Sequence, residues 1–171
     1  MPSRSSSGRR GGTSHTGLAS RSGAHVPPRP CIIDLPGWRE PSELLGRLSP
    51  GRRPALLCSG ALSGETGRYS ILAADPVLTV SWRSGEGVIE GPDGPERTAS
   101  DDPFGLLESL VRRGRSLGAD RWPFPGGAIG YFSYDAGRAL ERLPELAVDD
   151  RPFPWMDFAF YSWAINWDHL S

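Results

Sequence analysis

A glycine-rich stretch is the first part of this sequence whose residue types could do chemistry. Residues 126–130 read Gly-Gly-Ala-Ile-Gly, and glycine-rich loops can cradle phosphate groups. The stretch has no Gly-Lys-Ser/Thr ending, and its spacing differs from that of a dinucleotide-binding fingerprint. Glycines within a strand more often mark a bulge or a close approach between two backbones. We therefore interpret these glycines as structural.

The candidate nucleophile is Ser63, and the candidate acid–base pair is Asp168 with the adjacent His169. Ser63 lacks the flanking glycines of a nucleophile elbow, and neither His25 nor His169 lies in a pattern that would activate it. Asp168 and His169 could form a dyad, but their position at the end of a predicted strand favours a solvent-exposed pair. The sequence therefore does not support a hydrolase.

The cysteines and the basic residues exclude further chemistry. Cys31 and Cys58 are the two cysteines, too few and too far apart for a metal-binding spacing or a disulfide framework. Cys58 follows an apolar run, so we expect it to be a small core residue. All 19 basic residues are arginine, so no mechanism that needs a lysine side chain can run on these residues.

The first 30 residues differ in composition from the rest of the chain. They contain five Arg, seven Ser and no acidic residue. Such a stretch buries too little apolar surface to offset the entropy of the chain. We therefore expect a disordered tail at 1–30 and a single folded domain at 31–171.

The tail and the hydropathy of the chain also bear on location and partners. The tail resembles RNA-binding segments rich in Arg, Gly and Ser, but five charges give weak electrostatics, so nucleic acid is not the expected partner. No apolar stretch is long enough to span a bilayer, and no hydrophobic region follows Arg9 and Arg10 as a signal peptide would require. We expect a cytoplasmic protein without a membrane partner.

Hydrophobic periodicity predicts an α+β fold, a mostly antiparallel β-sheet with flanking helices. Helices are predicted to begin at Pro41, at Pro103 with Asp101 or Asp102 as its cap, and near Ser133. The predicted strands alternate apolar and polar residues or are rich in β-branched and aromatic residues. They lie at 31–35, 55–58, 68–73, 77–82, in both arms of a hairpin across 85–95, at 122–132 and, as one long strand, at 156–168.

Two longer strings carry a resemblance to a known family. The first reads Leu-Leu-Cys-Ser-Gly at 56–60 and, seven residues later, Arg-Tyr-Ser-Ile-Leu-Ala-Ala-Asp-Pro at 68–76. The second reads Pro-Phe-Pro-Gly-Gly-Ala-Ile-Gly-Tyr-Phe-Ser-Tyr-Asp-Ala-Gly-Arg at 123–138. Over about residues 31–170 the chain resembles the N-terminal domain of component I of aminodeoxychorismate synthase, in the anthranilate synthase component I superfamily.

The resemblance implies a chemistry that this chain does not perform alone. In the family, a glutamine amidotransferase partner supplies ammonia, and a C-terminal domain binds chorismate with magnesium and aminates it, towards para-aminobenzoate and folate. The lysine nucleophile and the magnesium-binding glutamates of that domain have no counterpart in this sequence. We therefore expect a fragment without catalytic residues, metal ligands or a cofactor of its own, complemented by a separately encoded chorismate-binding domain. In the family the segment at 156–168 pairs with later strands, so we expect an unpaired edge there.

The resemblance also implies a tryptophan-binding pocket. Its positions correspond to Leu57, Ser59, Arg68, Tyr69 and Ser70 in this sequence. The residue types suit such a ligand, since aliphatic and aromatic side chains would contact the indole while hydroxyls and a guanidinium would bind the polar end. The alternative, that these residues only pack two strands together, stays equally open.

One departure from the family pattern concerns regulation. Cys58 stands where the tryptophan-regulated anthranilate branch usually has Glu, which favours the para-aminobenzoate branch. A fragment of anthranilate synthase component I and a free-standing amino-acid-binding regulatory module remain the alternatives.

Overall fold

The structure is a computed structural model, and it describes residues 31–37, 39–58, 67–113, 122–144 and 153–170. The tail predicted at 1–30 lies outside these ranges. Two α-helices are present in them, α1 at Pro41–Arg47 and α2 at Pro103–Arg113, with 3-10 helices at Pro50–Arg52 and Tyr134–Ala139. The strands are β1 Ala55–Leu57, β2 Tyr69–Ala73, β3 Leu78–Arg83, β4 Glu86–Gly91, β5 Gly94–Ala99, β6 Gly127–Phe132, β7 Met156–Tyr161 and β8 Ile165–Asp168.

The strands form two antiparallel sheets. A five-stranded sheet has the order β5-β4-β3-β7-β6, and a three-stranded sheet has the order β1-β2-β8. Strands β3, β4 and β5 are consecutive hairpins, and Gly94, with a positive φ of 100°, follows the turn predicted at Pro92. The α+β class with mostly antiparallel pairing is therefore confirmed.

One face of the five-stranded sheet packs against α2. Val80 pairs with Phe158 and Trp82 pairs with Met156 across β3 and β7, which places these side chains on one face of the sheet. Val80, Trp82 and Met156 are buried there with Leu110 of the helix. Asp102 caps the helix, because its Oδ1 accepts a hydrogen bond of 2.9 Å from the backbone N–H of Gly105.

The opposite face of this sheet packs against the three-stranded sheet through small residues. Ala73 of β2 and Ala159 of β7 are buried together with Tyr161. Small side chains allow the two backbones to approach closely, and burial of this apolar surface is the main favourable term at the contact. The Asn166 side chain adds a hydrogen bond of 2.9 Å from Nδ2 to the carbonyl oxygen of Phe124.

The single strand predicted at 156–168 is wrong. The chain forms β7 up to Tyr161, leaves the large sheet over three residues, and enters the small sheet as β8 at Ile165. Composition alone does not reveal this, because aromatic residues run through both strands and the segment between them. The expected unpaired aromatic edge is wrong for β7 as well, since β7 lies between β3 and β6.

Three further local predictions differ from the structure. Residues 31–35 are exposed and form no strand, since no neighbouring segment among the described residues pairs with them. Cys58 is exposed rather than in the core, because β1 ends at Leu57 and the chain leaves the sheet there. Strand β6 begins at Gly127 instead of 122.

No helix within the described ranges is long and apolar enough to cross a membrane.

Candidate functional site

The residues predicted to line a tryptophan pocket lie on two faces of the three-stranded sheet. Leu57 pairs with Ile71, two positions along the strand from Tyr69, so Leu57 and Tyr69 share a face. Ser70 is next to Tyr69 in β2 and therefore points to the opposite face. Ser59 lies outside the described residues. The structure thus brings Leu57 and Tyr69 to one side of the sheet and separates them from Ser70.

Ser70 is the buried centre of a hydrogen-bonded cluster with His169 and the exposed Cys58. Its side chain is fully buried, and its Oγ lies 2.8 Å from Nε2 of His169. The hydroxyl also contacts Sγ of Cys58 at 3.4 Å. A hydroxyl with no exposed surface is a poor nucleophile for a substrate in solution, and the cluster therefore ties the end of β2 to the segments on either side.

His169 corrects the prediction of a solvent-exposed Asp–His pair. Its ring packs on Ser70, and its backbone N–H donates to the carbonyl oxygen of Arg68 at 2.8 Å. The sequence contains no local signal for this contact, because it depends on the antiparallel register that places β8 beside β2.

Arg68 and Asp168 form a bidentate ion pair at the same edge. Arg68 Nε donates to Oδ1 at 2.9 Å and Nη2 donates to Oδ2 at 2.6 Å. The Asp168 side chain is 9% exposed and that of Arg68 is 44% exposed. The hydrogen bonds from Arg68 lower the pKa of Asp168, because they stabilise its charged form. The guanidinium also lies 5.0 Å from the centre of the Tyr69 ring, within the range of a cation–π contact.

These contacts define what a ligand would meet at the predicted pocket. Leu57 is 49% exposed and Tyr69 is half-buried, so both offer apolar surface. The guanidinium of Arg68 already binds Asp168, and the hydroxyl of Ser70 already binds His169. A ligand lying on Leu57 and Tyr69 would therefore share the Arg68 guanidinium with Asp168. The Ser70 side chain lies on the other face of the sheet from such a ligand.

The glycine-rich stretch at 126–130 lies mostly in strand β6 and is structural, as predicted. A Cβ atom on Gly130 would overlap the carbonyl oxygen of Asp157 and lie 2.6 Å from the Cα atom of Phe158. The backbones of β6 and β7 meet too closely at this position for any side chain. The glycine therefore serves strand pairing.

Comparisons with known proteins find relatives that this chain matches over part of their length. No protein-family model matches it. Aminodeoxychorismate synthase component 1 of Escherichia coli is 34% identical over 143 residues, which cover 82% of this chain and 31% of that protein. Anthranilate synthase component 1 of Acetivibrio thermocellus is 32% identical over 105 residues, 61% of this chain and 21% of that protein. The chain is a homologue of part of component I of these synthases.

A solved structure supports the homology with component I. Anthranilate synthase component I from Streptococcus pneumoniae superposes with a TM-score of 0.52 and 25% sequence identity over 77% of this chain and 27% of that chain. The chain spans less than a third of the length of these component I proteins. By name, each of these relatives is one component of a synthase.

Proposed function

We propose that this chain is a non-catalytic region of an aminodeoxychorismate synthase component I and works together with a chorismate-binding domain. The alignment to the aminodeoxychorismate enzymes carries the proposal. The Escherichia coli and Salmonella typhimurium proteins are each 34% identical over 82% of this chain. An Arabidopsis thaliana anthranilate synthase alpha subunit aligns over the same share at 28% identity.

The residue at position 58 supports the choice of branch. The family resemblance assigns a Glu to this position in the tryptophan-regulated enzymes, whereas this chain has Cys58 beside Ser70. A thiol cannot offer a ligand ammonium group the charge that a carboxylate offers. Amination towards para-aminobenzoate, without control by tryptophan, is therefore the function we assign to the whole synthase.

The chemistry itself would reside in other parts of the enzyme. The resemblance implies a lysine nucleophile and magnesium-binding glutamates in a chorismate-binding domain, and this sequence contains no lysine. A glutamine amidotransferase component would supply ammonia. The role of the present residues would then be to support that domain, in the cytoplasm.

Reconstitution tests this proposal. The purified chain is mixed with the chorismate-binding domain of the Escherichia coli homologue, chorismate, magnesium and ammonium, and the product is identified by chromatography. We expect aminodeoxychorismate from the mixture, no turnover from this chain alone, and less product from the domain alone. Product from the isolated chain would refute the non-catalytic role, and no gain in product over the domain alone would refute the supporting role.

We also propose a tryptophan-like ligand at Leu57 and Tyr69, with Ser59, Arg68 and Ser70 as its polar surroundings. The exposed apolar surface of Leu57 beside the Arg68–Tyr69 pair supports it. Calorimetry with tryptophan tests it, and Arg68→Ala and Ser59→Ala should each weaken binding. If millimolar tryptophan gives no heat, these residues serve only to pack the strands together.

A further inference from the structure

An open groove lies on a part of the molecule that the proposed function does not use. It has a volume of about 590 Å³ and is bounded by the face of β6 and β7 on one side and by α1 with the segment after it on the other. Ile129 and Ala159, a cross-strand pair, supply apolar surface from the sheet. Leu45 and Leu48 supply it from the helix side. A volume of this size suits a small organic molecule.

Arg53 is held at the groove in an unusual backbone conformation. Its φ of 43° and ψ of 57° lie in the left-handed region, which is unfavourable for a residue with a side chain. The Tyr161 hydroxyl stabilises this conformation by donating a hydrogen bond of 2.8 Å to the Arg53 carbonyl oxygen. The guanidinium Nη2 binds Oδ1 of Asp157 at 2.7 Å. Backbone and side chain are thus both fixed by strand β7.

Part of the Arg53 guanidinium remains available to a ligand. The side chain is 43% exposed, and Asp157 is its acceptor within the described part of the chain. A guanidinium has several N–H donors in a planar fork, so one carboxylate contact leaves others for a second acceptor.

Tyr131 adds a second donor on the same face. It pairs with Asp157 across β6 and β7, lines the groove and is 43% exposed. Among the described residues its hydroxyl has no hydrogen-bond partner. Burial, and then the charge of Asp157, raise the pKa of Tyr131, so the phenol stays protonated at neutral pH and can donate.

We propose that this groove binds a small carboxylate whose body is an aromatic ring. The guanidinium of Arg53 and the hydroxyl of Tyr131 would bind the carboxylate, and the apolar walls from Ile129 and Leu48 would contact the ring. Arg53 and Asp157 balance each other's charge, so the ligand carboxylate would bind through the remaining guanidinium N–H groups and the Tyr131 hydroxyl. None of the residues named for the tryptophan-like ligand lines this groove, so the two sites have no residue in common.

Calorimetry with three ligands of one shape tests the site. Benzoate carries the ring and the negative charge, benzamide has the same ring without charge, and benzylamine reverses the charge. We expect benzoate to bind at least about tenfold more tightly than either of the others. Equal affinity for benzamide, tighter binding of benzylamine, or no heat from benzoate at about 10 mM would each overturn the proposal.

Variants locate the binding. Arg53→Gln and Tyr131→Phe should weaken benzoate binding about tenfold and about threefold, since each removes a donor to the charged group. Arg112→Gln and Tyr134→Phe are the matched controls, because Arg112 pairs with Glu108 on α2 and Tyr134 is 85% exposed outside the groove. Circular dichroism checks that each variant is folded. Unchanged binding in folded Arg53→Gln and Tyr131→Phe would refute the site.

A second measurement separates this groove from the tryptophan-like site. In nuclear magnetic resonance spectra of the labelled chain, benzoate should shift the backbone amides of 129–131 and 157–159. Shifts confined to the amides of 69–71 would place the ligand at the other site and overturn the groove proposal.

Discussion

The hydroxyl of Ser70 lies 2.8 Å from Nε2 of His169, although 99 positions separate the two residues in the sequence. The contact is buried on the Ser70 side, so removing the hydroxyl leaves a ring nitrogen without its partner. We expect Ser70→Ala to lower the free energy of unfolding by about 1–3 kcal/mol. Urea unfolding followed by tryptophan fluorescence measures it. Ser109→Ala is the control, because Ser109 is exposed on α2, and equal losses in both variants would contradict the importance of this contact.

The Arg68–Asp168 pair should make stability depend on pH. The pKa of Asp168 is lowered in the folded state by the hydrogen bonds from Arg68. Because the pKa of Asp168 is lower in the folded state than in the unfolded state, the ion pair stabilises the fold at pH values above the unfolded pKa of about 4. This stabilisation is lost as the pH falls through the folded pKa. Asp168→Asn should therefore destabilise the chain at pH 7 and lose less stability than the parent on acidification.

Urea unfolding of the parent and of Asp168→Asn at a series of pH values from about 7 to about 2 measures this difference. Asp75→Asn is the comparison, because Asp75 also has a lowered pKa from its partner Arg52 but a more exposed side chain. Parallel curves for the parent and Asp168→Asn would contradict the linkage.

Gly130 should tolerate no side chain. Because its Cβ would overlap the backbone of β7, we expect Gly130→Ala to cost more than about 3 kcal/mol of stability or to prevent folding. Gly91→Ala is the matched control, since a Cβ there meets nothing within 4 Å. Thermal melting by circular dichroism compares the two. Similar melting temperatures would show that β6 and β7 can move apart at this position.

The capping contact of α2 is open to a direct test. Asp102→Ala removes the acceptor of the Gly105 N–H and should cost about 1 kcal/mol. Asp101→Ala, at the adjacent exposed position, should cost less. Chemical denaturation measures the loss of stability in both variants. A larger loss in Asp101→Ala would show that Asp102 is not the cap.

The parts of this fold that the sequence predicts well are the local ones. The turn at Pro92 and the helix beginning at Pro41 depend on neighbouring residues, so composition and spacing suffice to find them. The same signals predict a cap at Asp101 or Asp102, and the structure has it at Asp102. The site is different. Strand alternation alone predicts that Tyr69 and Ser70 point to opposite faces. The contact of Ser70 with His169, however, depends on the pairing of β8 with β2. No local sequence signal marks the break between β7 and β8.

The pairing of β2 with β8 has a consequence for the order of folding during synthesis. Strands β3, β4 and β5 are joined by short turns and can pair as soon as they leave the ribosome. Strand β2 is made before them but gains its β8 neighbour only after Ile165 to Asp168 have emerged. Such distant contacts form slowly, because a long loop must close first. The nascent chain therefore exposes one edge of β2 until β8 has emerged, and a chaperone could bind this edge during that interval.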